Sequence, residues 1–537
     1  MIKKGLDIIR ALPSFLTVVV MTVPILCVFS FAMGVDGQLW QRLWATRIPA
    51  LFTSSFLLVA IVTCTTLVLG GILAYLVERT DLPLRRWLKP LLVTPLITPC
   101  YIIAICYVNF FGINGLGEKF FYALGWEITL PAIYGFWGTV FVLTFGTYPY
   151  VYTIVSSSLH QLDPHLTEAA RCLGVSRWAR FCGLILPMLL PAFSAGAILV
   201  TMYVLSDYGV VSMLRYPTFV NAIYEQISGR YNYSTAAALS MVLIAVTVLL
   251  VLAQGMLTKK KYYASVHMRT KGIVLHRLGW LKIPSLFFVA GVLVFGLLLP
   301  IGILIFWFMQ SLHLSALHRI WAMSWTELAH SGFNSIFISS LAATAAVVLA
   351  LPLAYASVRR PESLVGRVYF FLSQSGIALP GVLIALGLSL IFSRTVPALN
   401  FSVFALFLAF LVHFFAQALQ TSQAGLRQVS PKFEESARLL GFSPIRSFWL
   451  VTRPLFTPAL MTAWILVFLS SMRELPASLL LRPAGFDPLT VKIWNAASEG
   501  FYEQAAAPAL LVVILSLPLI FVIIKSQGKY TPSPESN

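Results

Sequence analysis

Two carboxylates in this 537-residue chain, Asp207 and Glu474, fall within long apolar stretches and are separated by 267 positions. Ionisable groups at membrane depth are costly and by default mark pathways. Carboxylate and phenol oxygens suit a hard cation, which makes Tyr208 a candidate helper to Asp207. The same acids equally suit helix ends that face water or the nearby bases Arg215 and Arg473. From Pro191 to Asp207 is about 24 Å of helix, so both acids are expected toward the outer side of an apolar core. His413, also in an apolar stretch, reads as a hydrogen-bonded bundle residue rather than a ligand.

Other chemistry is missing from the sequence. No G-x-x-x-x-G-K-[ST] stretch occurs, so nucleotide phosphates find neither the backbone nest nor the lysine that hold them. HExxH, paired CxxC and GxSxG constellations are absent too, which argues against an intramembrane enzyme. The six cysteines (Cys27, Cys64, Cys100, Cys106, Cys172, Cys182) show no metal-ligand spacing and read as small apolar fillers. No catalytic residue, resident metal or tightly bound cofactor is expected.

The elements that must position the two acids follow from composition. Hydrophobic residues make up 59% of the chain and charged ones 10%, a balance that belongs in lipid. Twelve apolar runs are long enough to cross a bilayer: 12–33, 53–78, 88–110, 133–156, 181–211, 235–256, 284–309, 333–357, 369–392, 404–422, 448–475 and 502–524. The first run exceeds a signal-peptide core and is expected to be a retained span. With the N-terminus inside, 27 of the 37 basic residues fall on cytoplasmic segments, as positively charged loops require. The net charge of +18 is then a topology signal facing anionic lipid, and no soluble domain exists to bind nucleic acid.

An internal repeat divides the chain. Residues 162–200 align without a gap to 429–467 at an offset of 267, and AYLVERT at 74–80 resembles AYASVRR at 354–360 at an offset of 280. The expected domains are a first half, 1–257, a basic cytoplasmic linker, 258–283, and a second half, 284–537. Six spans in each make the halves parallel, with a pathway expected between them.

Inside the repeat, Asp163-Pro164 and Ser430-Pro431 are helix starts, Gly174 and Gly441 are left-handed stops, and Ser176 and Ser443 are caps for the next helix. Each half should therefore carry a short helix outside the bilayer between spans four and five, of the kind that docks into a groove on another protein.

Glu168 to Pro187, EAARCLGVSRWARFCGLILP, resembles the EAA loop of ABC-importer permeases, with Leu184 at the isoleucine position. Glu435 to Pro454, ESARLLGFSPIRSFWLVTRP, resembles it less closely: Ser436, Val451 and Arg453 replace alanine, isoleucine and leucine. The resemblance implies loops at 162–187 and 429–454 in which Glu168, Ala169, Ala170, Gly174, Glu435, Ser436, Ala437 and Gly441 couple to ATPase subunits. Two loops in one chain, with Arg473 to Pro483 and Gly485 to Trp494, look most like the fused permeases of ferric-iron importers. Fused thiamine and phosphonate-compound permeases share that layout. A secondary transporter is the rival from another class, although its usual signature lies between spans two and three. The resemblance further implies an all-α transmembrane, type I ABC-importer permease architecture of about twelve helices, in the bacterial inner membrane. A periplasmic binding protein would deliver ferric iron, and two separate ATPase subunits would use the ATP.

Overall fold

The computed structural model describes residues 2–162, 164–259, 275–317, 324–359 and 379–528, and these are helical with short turns between. The principal helices of the first half are α1 (Ile2–Met33), α2 (Gly37–Thr46), α3 (Ile48–Arg79), α4 (Cys100–Phe110), α5 (Phe136–Gln161), α6 (Pro164–Cys172), α7 (Leu186–Ser206), α8 (Gly209–Met213), α9 (Phe219–Ser228) and α10 (Tyr233–Lys259). Those of the second half are α11 (Lys282–Leu293), α12 (Leu299–Leu317), α13 (Trp325–Arg359), α14 (Gly381–Thr395), α15 (Val403–Gln428), α16 (Pro431–Leu439), α17 (Arg453–Ser471), α18 (Pro476–Leu481), α19 (Leu489–Ser498) and α20 (Tyr502–Gly528). From α3 to α10, each helix has its counterpart ten labels further on.

Among the described residues the apolar runs fall mostly on helix, the run at 369–392 being described only from 379, but they are not twelve straight spans. Among the described residues, eight helices are long and apolar enough to cross a membrane. The first run lies within α1 and is followed by a 97° bend into α2, while the third run bends by 88° between Arg85–Ile97 and α4. Gly381–Thr395 and Tyr502–Pro518 are shorter apolar helices. Proline explains the second bend: Pro99 offers no N–H to continue the preceding turn, and its own carbonyl accepts from Ile102 to start α4.

Packing does not follow the sequence halves. One compact unit comprises Met1–Trp44, Ala222–Ile244 and Ser311–Asn537, and the other Ala45–Asn221 and Ala245–Gln310. In the first, α1 packs on α14 and α13, and α13, α15 and α17 pack together. In the second, α3, α5 and α7 form the matching trio. The opening helix of the second half joins it: the Tyr107 hydroxyl donates to the Phe295 carbonyl, and the Phe295 ring lies 5.8 Å from that of Phe141. The expected boundary at 258–283 therefore separates the repeats but not the packed units. Apolarity alone does not tell a helix which neighbour to cover. Residues 260–274 of the linker lie outside the described residues, while its end, 275–282, is fixed to the turn after α3. There Asp81 accepts from the Leu278 N–H at 2.8 Å and pairs with Lys282 at 2.7 Å.

Candidate functional site

The two short helices between spans four and five end in the same way. In α6, the Val175 N–H donates to the Ala170 carbonyl and the Gly174 N–H to that of Arg171; in α16, Phe442 donates to Ala437 and Gly441 to Arg438. These paired bonds form a Schellman stop, which needs a left-handed residue, and Gly174 (φ +75°) and Gly441 (φ +86°) supply it. Ser176 and Ser443 then accept from the N–H groups of Ala179 and Arg446 and start the following turn, as expected. Ser430 makes no side-chain cap, a correction to the expected start of α16; Pro431, whose missing N–H needs no acceptor, starts it instead. Asp163 lies outside the described residues.

Glu168, Ala169, Glu435 and Ser436 are exposed, Ala170 is half-buried and Ala437 is buried. Leu173, Leu439 and Leu440 are each more than three-quarters exposed. Leucines this open, on short helices beyond the apolar spans, suit a surface that a partner covers.

Basic residues missed in the sequence hold both helices in place. The Arg79 guanidinium, at the end of α3, donates to the carbonyls of Leu159 and Leu162 at 2.6 and 3.1 Å. Its counterpart Arg359, at the end of α13, donates to the Val429 carbonyl at 2.9 Å. Leu162 and Val429 are repeat equivalents just before α6 and α16. Arg359 also binds Glu434, whose carboxylate accepts from the Tyr355 hydroxyl at 2.6 Å. The first half spends its acid differently, since Glu78 meets Lys89 and Ser156. Tyr75 and Tyr355 each meet a ring at the start of span five, Phe181 at 6.2 Å and Phe448 at 5.7 Å, edge to face. The AYLVERT and AYASVRR match carried this signal, because it aligns Tyr75 with Tyr355 and Arg79 with Arg359.

The two acids are not inside span five. That helix ends at Ser206 in one half and Ser471 in the other, and a short helix follows each break. Asp207 accepts from the Val210 N–H of α8 at 2.8 Å, and Glu474 from the Ala477 N–H of α18 at 3.4 Å. Both carboxylates thus satisfy open N–H groups at a helix start, a local role that explains why acids recur here. The depth expectation is refined by α15. His413 lies 3.6 Å from Glu474 and is ten residues, about 15 Å, from the end of α15 farther from α16. Tyr208 is buried and Arg473 half-buried. Asp207 and Tyr208 belong to one compact unit, and Arg473 and Glu474 to the other. Among the described residues, no three His, Cys, Asp or Glu side chains converge as a metal site.

Repeated helical halves, broken fifth spans and paired exposed helices define a membrane transport subunit of doubled design. Residues 66–261 and 346–532 each match the binding-protein-dependent transport system inner membrane components, and the chain belongs to that family as a fused two-half ABC permease. It is similar to the Fe(3+)-transport system permease protein FbpB 2 of Haemophilus influenzae, 29% identical over 490 residues, which cover 90% of this chain and 91% of that protein. The ferric transport system permease protein FbpB of Actinobacillus pleuropneumoniae is 23% identical over 442 residues, 80% of this chain and 64% of that relative. The sulfate transport system permease protein CysT of Escherichia coli K12 is 26% identical over 220 residues, covering 40% of this chain and 78% of its own.

Proposed function

We propose that this chain forms the translocation pathway of an ATP-driven importer for ferric iron, in the bacterial inner membrane with both termini in the cytoplasm. A periplasmic binding protein delivers the substrate, and α6 and α16 dock on two separate ATPase subunits. The observation that carries the reading is the pair of Schellman-stopped helices with exposed leucines, built twice by one chain of a binding-protein-dependent family. Similarity to a ferric-transport permease over nine-tenths of the chain supports iron as the substrate. In this reading Glu168, Ala169, Ala170, Gly174, Glu435, Ser436, Ala437 and Gly441 meet the ATPases, while Asp207, Tyr208, Arg473 and Glu474 serve the pathway.

Reconstitution tests this assignment. The chain alone in proteoliposomes should hydrolyse no ATP, and with its ATPase and iron-loaded binding protein it should take up ferric iron only when ATP is supplied. Robust hydrolysis by the chain alone, or uptake driven by a proton gradient without the ATPase, would overturn it.

A further inference from the structure

At the start of α4 and of α14 the two halves pack against α5 and α15 in different ways. In the second half, Gly381 opens α14 directly after Pro380, and a Cβ there would fall on the Glu474 carboxylate. The Glu474 carboxylate that takes this room lies against the His413 imidazole, whose Nε2 is 3.6 Å from Glu474 Oε2, with the two side chains 14% and 11% exposed. In the first half, Cys100 opens α4 after Pro99, and the residue 267 positions before His413 is Gly146. A Cβ at Gly146 would fall on the Cys100 thiol. Thus the α5 position is a glycine set against a thiol from α4, whereas its α15 equivalent is an imidazole set against the Glu474 carboxylate.

Packing alone therefore does not require a histidine at position 413, since the same chain satisfies the equivalent position with a glycine and a cysteine. An imidazole placed against a carboxylate at membrane depth carries a desolvation cost that ordinary bundle packing does not repay. Together the two groups offer one nitrogen and one oxygen donor, and imidazole and carboxylate both suit iron. Their separation accommodates a single ion held by both at about 2.1 Å. Two donors hold an ion weakly enough to release it, as conduction requires.

We propose that His413 and Glu474 form a transient metal-cation site in the second half of the pathway, and that His413 is the residue that makes the two halves unequal toward the substrate. The proposal rests on the reading that Glu474 serves the pathway. It differs from the sequence expectation, in which His413 is a bundle residue.

The test exchanges one arrangement for the other in the full importer, using uptake of radiolabelled ferric iron supplied on the binding protein. His413→Gly and Gly381→Cys should each lower thermal stability, the first by leaving a cavity and the second by collision. The double variant H413G/G381C places the first half's glycine and cysteine at the equivalent positions and opens the vacated imidazole space for the Glu474 carboxylate to shift into, so stability and assembly with the ATPase should return while uptake stays at least tenfold down. Uptake that recovers together with stability would overturn the proposal and make His413 a packing residue. His413→Gln keeps polar bulk without the imidazole and should also lose uptake at normal assembly; wild-type uptake there overturns the proposal even if the double variant fails to fold. Glu474→Gln separates the two layers. If it transports normally, the pathway reading of Glu474 fails and the metal site with it. If it loses uptake while the double variant transports normally, only the role of His413 fails.

Discussion

The Arg359 guanidinium and the Glu434 carboxylate lie 3.0 Å apart with side chains only 11% and 7% exposed, which ties the end of α13 to the helix α16. Removing one partner of such a pair strands a buried charge, at a cost of about 3–5 kcal/mol. Arg359→Ala or Glu434→Ala should therefore lower the unfolding temperature of the detergent-solubilised chain and weaken assembly with the ATPase. The double variant R359M/E434L, which leaves no charge behind, should recover most of the stability. An unchanged melting curve for either single variant would contradict this anchoring.

Coupling should be unequal between the loops. Glu168→Lys and Gly174→Asp should uncouple ATP hydrolysis from uptake more severely than Glu435→Lys and Gly441→Asp. The first loop keeps the full pattern, whereas α16 is additionally pinned through Glu434. Neither glycine has an atom within 4 Å of an added Cβ, so the penalty is conformational. Placing a side chain in the left-handed turn costs about 1–2 kcal/mol at either site, toward the low end for aspartate, whose short polar side chain tolerates that conformation. Equal transport loss at both loops, at matched expression, would refute the asymmetry.

For the two acids, amide replacement separates charge from capping. Asp207→Asn and Glu474→Gln each keep an oxygen that accepts the N–H of α8 or α18, so assembly with the ATPase should survive, while iron uptake should fall sharply in the double variant. Alanine at either position also removes the cap and should cost a further 0.5–2 kcal/mol or so. Near-normal uptake in the amide variant would leave these carboxylates with the local capping role alone.

Acid should release the end of the linker late. The hydrogen bond from Lys282, with that from the Leu278 N–H, holds the Asp81 carboxyl below its ordinary range. A carboxylate with a lowered native pKa adds stability that is complete above its unfolded pKa and is lost as pH falls through the native one. Proteolysis or hydrogen exchange of 275–282 should stay slow across neutral and mildly acid pH and accelerate only below the ordinary carboxylate range. Asp81→Asn should remove that pH dependence; protection that decays near neutrality would show another group in control.

The sequence by itself determined the solvent, the repeat and the short capped helices, because each rests on local or periodic chemistry. Apolar runs of bilayer length dictate lipid, an offset of 267 dictates duplication, and Gly174 and Gly441 dictate where a helix stops. The glycine stops hold in the structure because the left-handed turn is a property of one residue and its immediate hydrogen bonds. Tertiary structure alone decided which helices keep company and what the acids touch. No local rule sends α1 to pack on α14, since apolar helices pack on whatever neighbour offers complementary shape. Arg79 and Arg359 read as ordinary positive loop charges until the fold brings the carbonyls of Leu162 and Val429 to them. Asp207 and Glu474 read as charges within a span because hydropathy windows run on past Ser206 and Ser471, where the backbone breaks. Nor does the sequence show that Gly381 makes room for the Glu474 carboxylate beside His413, because that space is shared by three segments whose meeting depends on packing over distances no local pattern records.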